Sequence, residues 1–139
     1  MAITYKSLQG YKYLLVEAHQ ENLILQPYKA IKTNFIHLTT SGQITISKGY
    51  AWDGPSGPTI DTRNFMRASL IHDALYQLMR LSLLDYKVHR ELADQILYEI
   101  CLEEGMTEFR AWYVHKGVRL FGEKNAVPEL KEKDLVLTA

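Results

Sequence analysis

The residues best suited to chemistry are His72, Asp73 and Tyr76, with Asp94 on the C-terminal side and Asp53 on the N-terminal side. An imidazole takes up and returns a proton near neutral pH. A carboxylate bonded to one ring nitrogen fixes the tautomer and makes the other nitrogen a better base. Asp94 is the candidate for that partner. Asp53 and Asp73, with backbone carbonyls, are the hard oxygen donors that calcium prefers. A cation that holds an oxyanion beside a histidine that activates water is a hydrolytic arrangement.

These groups need elements to bring them together. His72 and Asp73 interrupt an apolar run in which Leu70, Ile71, Ala74, Leu75, Leu78 and Met79 recur at helical spacing. The first helix is expected to be capped by Asp61 or Thr62 and to run to about Leu81. Ser82 to Asp85 turns the chain, and Asp85 can cap a second helix that ends at Gly105. A short turn makes the two helices antiparallel neighbours. His72 lies 11 residues before Leu83, and Asp94 lies 11 after it. At 1.5 Å per residue both stand roughly 16 Å from the turn, at one height. Tyr76 leans back toward that level, so its hydroxyl also reaches for Asp94. Asp73 is turned about 100° from His72 and faces the loop that carries Asp53.

That loop, residues 48–61, holds three glycines and two prolines and is read as irregular. The β-region before it spans about 11–47. Its strand candidates are Tyr11 to Glu17, Leu23 to Leu25, Phe35 to Thr40 and Gln43 to Ser47, with Ser41-Gly42 as a hairpin signal. Thr107 can cap a third helix, Glu108 to Phe121, in which Trp112, Val118, Leu120 and Phe121 are expected to pack on the other two. The reading is therefore one α+β domain, 1–139. A small antiparallel sheet is followed by a helical region (62–122) and a charged tail (123–139), and the antiparallel helix pair carries the polar site.

Composition narrows the function. Sixteen basic and 16 acidic side chains balance, which gives no basic surplus for a nucleic-acid footprint. One cysteine, Cys101, forms no intrachain disulfide and is expected to pack in the core. Met1 to Gln20 mixes polar and apolar residues, so no signal peptide is expected, and no apolar stretch is long enough for a membrane span. Trp52, beside Asp53, is the aromatic expected at the site mouth, where it would touch lipid or a partner. Arg63, Arg67 and Arg80 are candidates for salt bridges or phosphate contacts. His19, His37, His89 and His115 are expected in structural or surface roles.

The same residues admit a structural reading. Asp94 can pair with Arg90 on its own helix, and Asp53 can nucleate a turn through its side chain. His-Asp metal phosphohydrolases also use an adjacent pair, but they need a further helical histidine upstream, and His37 falls on an expected strand.

The pattern His72-Asp73-x-x-Tyr76, followed on the next helix by Ala93-Asp94, resembles the active site of the secreted phospholipase A2 enzymes and their short bacterial and viral forms. Asp53-Gly54-Pro55-Ser56 resembles the bacterial calcium loop. The resemblance implies His72 as general base, Asp94 as its orienting partner and Tyr76 as a support of Asp94. It implies Asp53 and Asp73 as calcium ligands, joined by backbone oxygens near Trp52 and Gly54. It points to a phospholipid or other ester as substrate. The disulfides of those enzymes have no counterpart here.

From about residue 11 to 121 the chain also resembles a phage and prophage domain family of unassigned function. The matching features are the loop Gly49 to Pro58, His72 to Tyr76, and Ala93-Asp94. That resemblance implies a protein of the host cytoplasm or the virion. It leaves open a non-enzymatic protein, binding virion or host partners, that uses these residues as a polar core.

Overall fold

The computed structural model describes residues 1–7, 13–53 and 63–128. Its central element is α1 (Arg63–Arg80), which is buried from Phe65 to Ile71 and again from Ala74 to Arg80. His72 and Asp73 are the half-buried interruption between these runs. A helix apolar on nearly every side needs neighbours on nearly every side. Side chains of the strand region bond to one flank of α1, and α2 (Tyr86–Glu103) packs on another.

Two antiparallel sheets form where one was expected. The first has the order β1-β2-β7, from β1 (Tyr5–Ser7), β2 (Tyr13–Leu15) and β7 (Ala51–Trp52). Its strand β7 falls inside the stretch read as irregular loop. Tyr13 pairs with Trp52, and the rings of Tyr5, Tyr13 and Trp52 meet with centroids 5.7–6.2 Å apart. The second sheet has the order β3-β6-β5-β4, from β3 (His19–Asn22), β4 (Ile31–Lys32), β5 (Ile36–Leu38) and β6 (Gln43–Ile46). Ile44 and Ile46 point inward while Gln43 and Thr45 are half-exposed, as period-two alternation requires. Gly42 closes the β5–β6 turn at φ 95°, and a Cβ there would lie 2.3 Å from the Leu23 carbonyl oxygen. Both facts demand glycine.

The α1–α2 connection follows the expected pattern. The Leu83 and Leu84 amides both donate to the Leu78 carbonyl. The Asp85 side chain then caps α2 by accepting from the Lys87 amide. At the far end Gly105 is left-handed, and the Met106 amide donates back to the Cys101 carbonyl, which satisfies an orphan acceptor of the last turn. Thr107 caps α3 (Glu108–Phe121) by accepting from the Arg110 amide. The expected cap of α1, Asp61 or Thr62, lies outside the described residues. A 3-10 turn, Glu123–Asn125, follows α3, so the stretch read as tail begins with an ordered turn. The architecture is α+β, with sheets preceding three helices.

The packing of α3 differs from the expectation. Its buried face is Ala111 and Val114, with Val118 half-buried beside them. Trp112, Leu120 and Phe121 are exposed at 49%, 63% and 72%. Small residues at three-four spacing let α3 lie close to α2, and the large side chains are left on the outer face.

Three polar ties hold the strands to α1. Trp52 Nε1 donates to Ser69 Oγ at 3.0 Å, and Tyr50 donates to Gln77 and, at 3.4 Å, to Asp73 Oδ2. Ser69, Asp73 and Gln77 are spaced by four, so β7 and the residues just before it run along one face of α1. The third tie is buried: the Arg67 guanidinium forks onto both oxygens of Glu21, which also receives His19. Glu103 and Glu104 of the α2 C-terminus complete that cluster. Burial pushes the Glu21 carboxyl up, but the bonds from His19 and Arg67 and the charge of Arg67 outweigh it and hold it below its ordinary range. Of the three arginines singled out on α1, Arg67 is thus an ion-pair residue, and Arg80 donates to the Asn125 carbonyl.

Candidate functional site

α1 and α2 bring His72, Tyr76 and Asp94 together as their spacing predicts. His72 Nε2 lies 2.6 Å from Asp94 Oδ1, and the Tyr76 hydroxyl donates to the same oxygen at 2.6 Å. The two rings are one helical turn apart on α1, with centroids 4.1 Å apart. Asp94 is completely buried, and the His72 side chain keeps 14% of its surface. When Nε2–H donates to the carboxylate, Nδ1 carries the lone pair. The imidazole is therefore a base with an edge toward solvent and a fixed ionic partner behind it.

The other carboxylate oxygen belongs to arginines. Arg119 Nη1, from the last turn of α3, donates to Asp94 Oδ2 at 2.8 Å, and Arg90 Nε of α2 stands 3.9 Å from it. Arg90 also donates from Nε to the Tyr76 hydroxyl at 3.1 Å and from Nη2 to the carbonyls of Val118 and Arg119. It thereby satisfies open carbonyls at the α3 C-terminus and locks that end of α3 against the site. Gly122, which ends α3, comes so close that a Cβ there would lie 2.5 Å from the Val118 oxygen and 3.0 Å from the Tyr76 hydroxyl.

Electrostatics follow from this crowding. Burial pushes the Asp94 carboxyl up. Hydrogen bonds from His72, Tyr76 and Arg119, with the charge on His72, outweigh it and hold the group below its ordinary range. Burial and the Asp94 charge push the Tyr76 phenol well above its ordinary value, and Arg90 opposes them. Tyr76 therefore serves as a neutral donor.

The expected metal ligands are less gathered. Asp73 is half-buried on α1 and accepts from Tyr50, while Asp53 is exposed just beyond β7. Gly54 lies outside the described residues. Among the described residues no three His, Cys, Asp or Glu side chains assemble into a metal-binding group. Asp53 and Asp73 have the donor chemistry for calcium, and the remaining ligands expected near Gly54 lie outside the described residues.

Other expectations resolve plainly. Trp52 is not at a surface mouth; it is fully buried, and its indole N–H is spent on Ser69. Cys101 is buried, and burial pushes its thiol up to about 12, which leaves it inert as a nucleophile. His37 is exposed, and His115 meets the Tyr98 ring edge to face. Arg90 was legible as a four-residue partner of Asp94. Arg119 and Gly122 were not, because they come from a third helix whose register on the pair no local spacing reveals. No helix among the described residues is long and apolar enough to cross a membrane.

Fold and site define an α+β protein in which two antiparallel helices carry a buried His–Asp–Tyr cluster closed by arginines. The chain belongs to the DUF1353 family of proteins of unknown function, whose model matches residues 30–118. The matched segment contains His72, Tyr76, Arg90 and Asp94, and Arg119 is the first residue beyond it. No curated protein matches the chain, and neither does any solved structure.

Proposed function

We propose that this site is the proton-handling half of a calcium-assisted ester hydrolase resembling phospholipase A2, in a phage-type protein acting in the host cytoplasm or the virion. The observation that carries the reading is the 2.6 Å contact of His72 Nε2 with a fully buried Asp94, which leaves the solvent-facing edge of the ring to act. Nδ1 of His72 takes a proton from a water whose oxygen attacks the acyl carbon. The resulting imidazolium is stabilised by Asp94. It then returns the proton to the departing alkoxide as the carbon–oxygen bond breaks. Tyr76 and Arg119 keep Asp94 ionised and aimed. Asp73 and Asp53 would hold calcium with oxygens of the loop, that of Gly54 included, and the ion would supply charge for the oxyanion.

Calorimetry with calcium on the wild type beside Asp73→Asn tests the metal half. The expected result is binding that the substitution abolishes. Absence of binding at millimolar calcium removes the metal from the reading.

One observation favours a second reading. Asp94 is saturated on both oxygens, and no buried side-chain polar atom among the described residues lacks a partner. Such completeness also suits a structural polar core in a non-enzymatic virion or host-interaction protein. On that reading His72→Ala lowers the melting temperature and changes no rate.

A further inference from the structure

Among the described residues the positive charge around Asp94 exceeds the negative. One carboxylate faces two guanidiniums, Arg119 at 2.8 Å and Arg90 at 3.9 Å, besides the His72 ring. No second carboxylate comes within ion-pair distance of either arginine among the described residues. Arg90 spends its donors on Tyr76 and two carbonyls. Arg119 spends only Nη1. Its Nε and Nη2 donate to nothing among the described residues, and its side chain is one-third exposed. Lys116 lies three positions earlier on α3, on the neighbouring surface of the helix. It is exposed, and its ammonium lies over the Trp112 ring, 5.0 Å from the centroid, with no carboxylate partner among the described residues. Two cations thus rise from neighbouring positions of α3, three residues apart, with no carboxylate besides Asp94 paired to either among the described residues, and Arg119 shares that carboxylate with His72.

We propose that Arg119 and Lys116 form an anion subsite that takes the phosphoryl group of a phosphate ester at the edge of the His72 site. A guanidinium with one tooth held by a buried carboxylate is pre-aimed. Its open donors match two phosphoryl oxygens in the fork geometry that favours arginine over lysine for such groups. The ammonium of Lys116 adds charge at the rim. Where the substrate is an ester that also carries phosphate, the subsite holds its phosphoryl end while the acyl end lies toward His72. That last step rests on the hydrolytic reading; the binding does not.

The test is titration of the full chain, followed by the guanidinium N–H signals of Arg119 in nitrogen–proton NMR spectra. Two probes, inorganic phosphate and glycerophosphocholine, separate a free phosphate from a lipid headgroup. Saturable shifts at Arg119 are expected with at least one probe, and a probe that alone saturates identifies the source. Arg119→Gln should raise the Kd at least about tenfold, as loss of a charge-assisted pair does. Lys116→Gln, an exposed position whose ammonium meets only the exposed Trp112 ring, should raise it about threefold. Shifts that do not saturate with either probe, or that map away from Arg119, overturn the proposal. So does an affinity unchanged in Lys116→Gln and Arg119→Gln alike. Phosphate bound at Arg119 in a protein that cleaves no ester would uphold the subsite and remove the hydrolytic reading. Ester cleavage with no saturable phosphate binding would remove the subsite alone.

Discussion

His72 on α1 and Asp94 on α2 share a hydrogen bond of 2.6 Å, the carboxylate completely buried and the imidazole at the edge of solvent. The remainder of the site supports this pair. Tyr76 and Arg119 hold the carboxylate, Arg90 holds Tyr76 and the end of α3, and Gly122 makes room for the contact.

Removal of the carboxylate should be costly. Asp94→Ala leaves Arg119, Arg90 and His72 without the completely buried anion they share. Breaking one side of a buried ion pair costs about 3–5 kcal/mol. Urea unfolding of the variant should show a loss of that order. A loss below about 1 kcal/mol would mean that the cluster contributes little to the fold.

Acid should destabilise the protein through two carboxyls. Asp94 and Glu21 are both held below their ordinary values of 3.8 and 4.5 in the folded chain. The unfolded chain therefore binds protons first as pH falls, and stability rises with pH across that range. Their contribution is full at neutral pH and shrinks as pH drops through the ordinary values. It is gone below the lowered ones. Asp94→Asn and Glu21→Gln should each flatten the fall of melting temperature between about pH 5 and pH 2. A slope unchanged in both variants would contradict the assignment.

Two glycines of the α3 region should respond in opposite directions to alanine. Gly122→Ala drives a Cβ to 2.5 Å from the Val118 oxygen and 3.0 Å from the Tyr76 hydroxyl, so it should cost about 1–3 kcal/mol. Gly117 lies within α3 with nothing in 4 Å of a built Cβ. Gly117→Ala should stabilise by about 0.5–1 kcal/mol through lower unfolded-state entropy. Thermal unfolding of the pair checks both signs.

Much of the site was legible in the chain because it depends on counting. Equal offsets of His72 and Asp94 from Leu83 fix their common height, and the single turn from His72 to Tyr76 fixes the second donor. Capping by Asp85 and Thr107 is local chemistry and appeared where it was expected. Trp52 was misread because proximity to Asp53 suggested a mouth, whereas the pairing of β7 with Tyr13 and the bond to Ser69 turn the indole inward. Trp112, Leu120 and Phe121 were misread because size and hydrophobicity suggested burial. Close approach of α3 to α2 instead selects the small Ala111 and the branched Val114 and Val118. Arg119 left no local signal, since its contact with Asp94 depends on how the third helix docks.

The most direct measurement is hydrolysis of a short-chain phospholipid with calcium by the wild type and His72→Ala, each checked for folding by circular dichroism. The account predicts calcium-dependent cleavage that falls at least about 100-fold in a folded His72→Ala protein, as loss of a general base does. Cleavage at an equal rate in the variant, or no cleavage by the wild type with only a lower melting temperature for the variant, would contradict it.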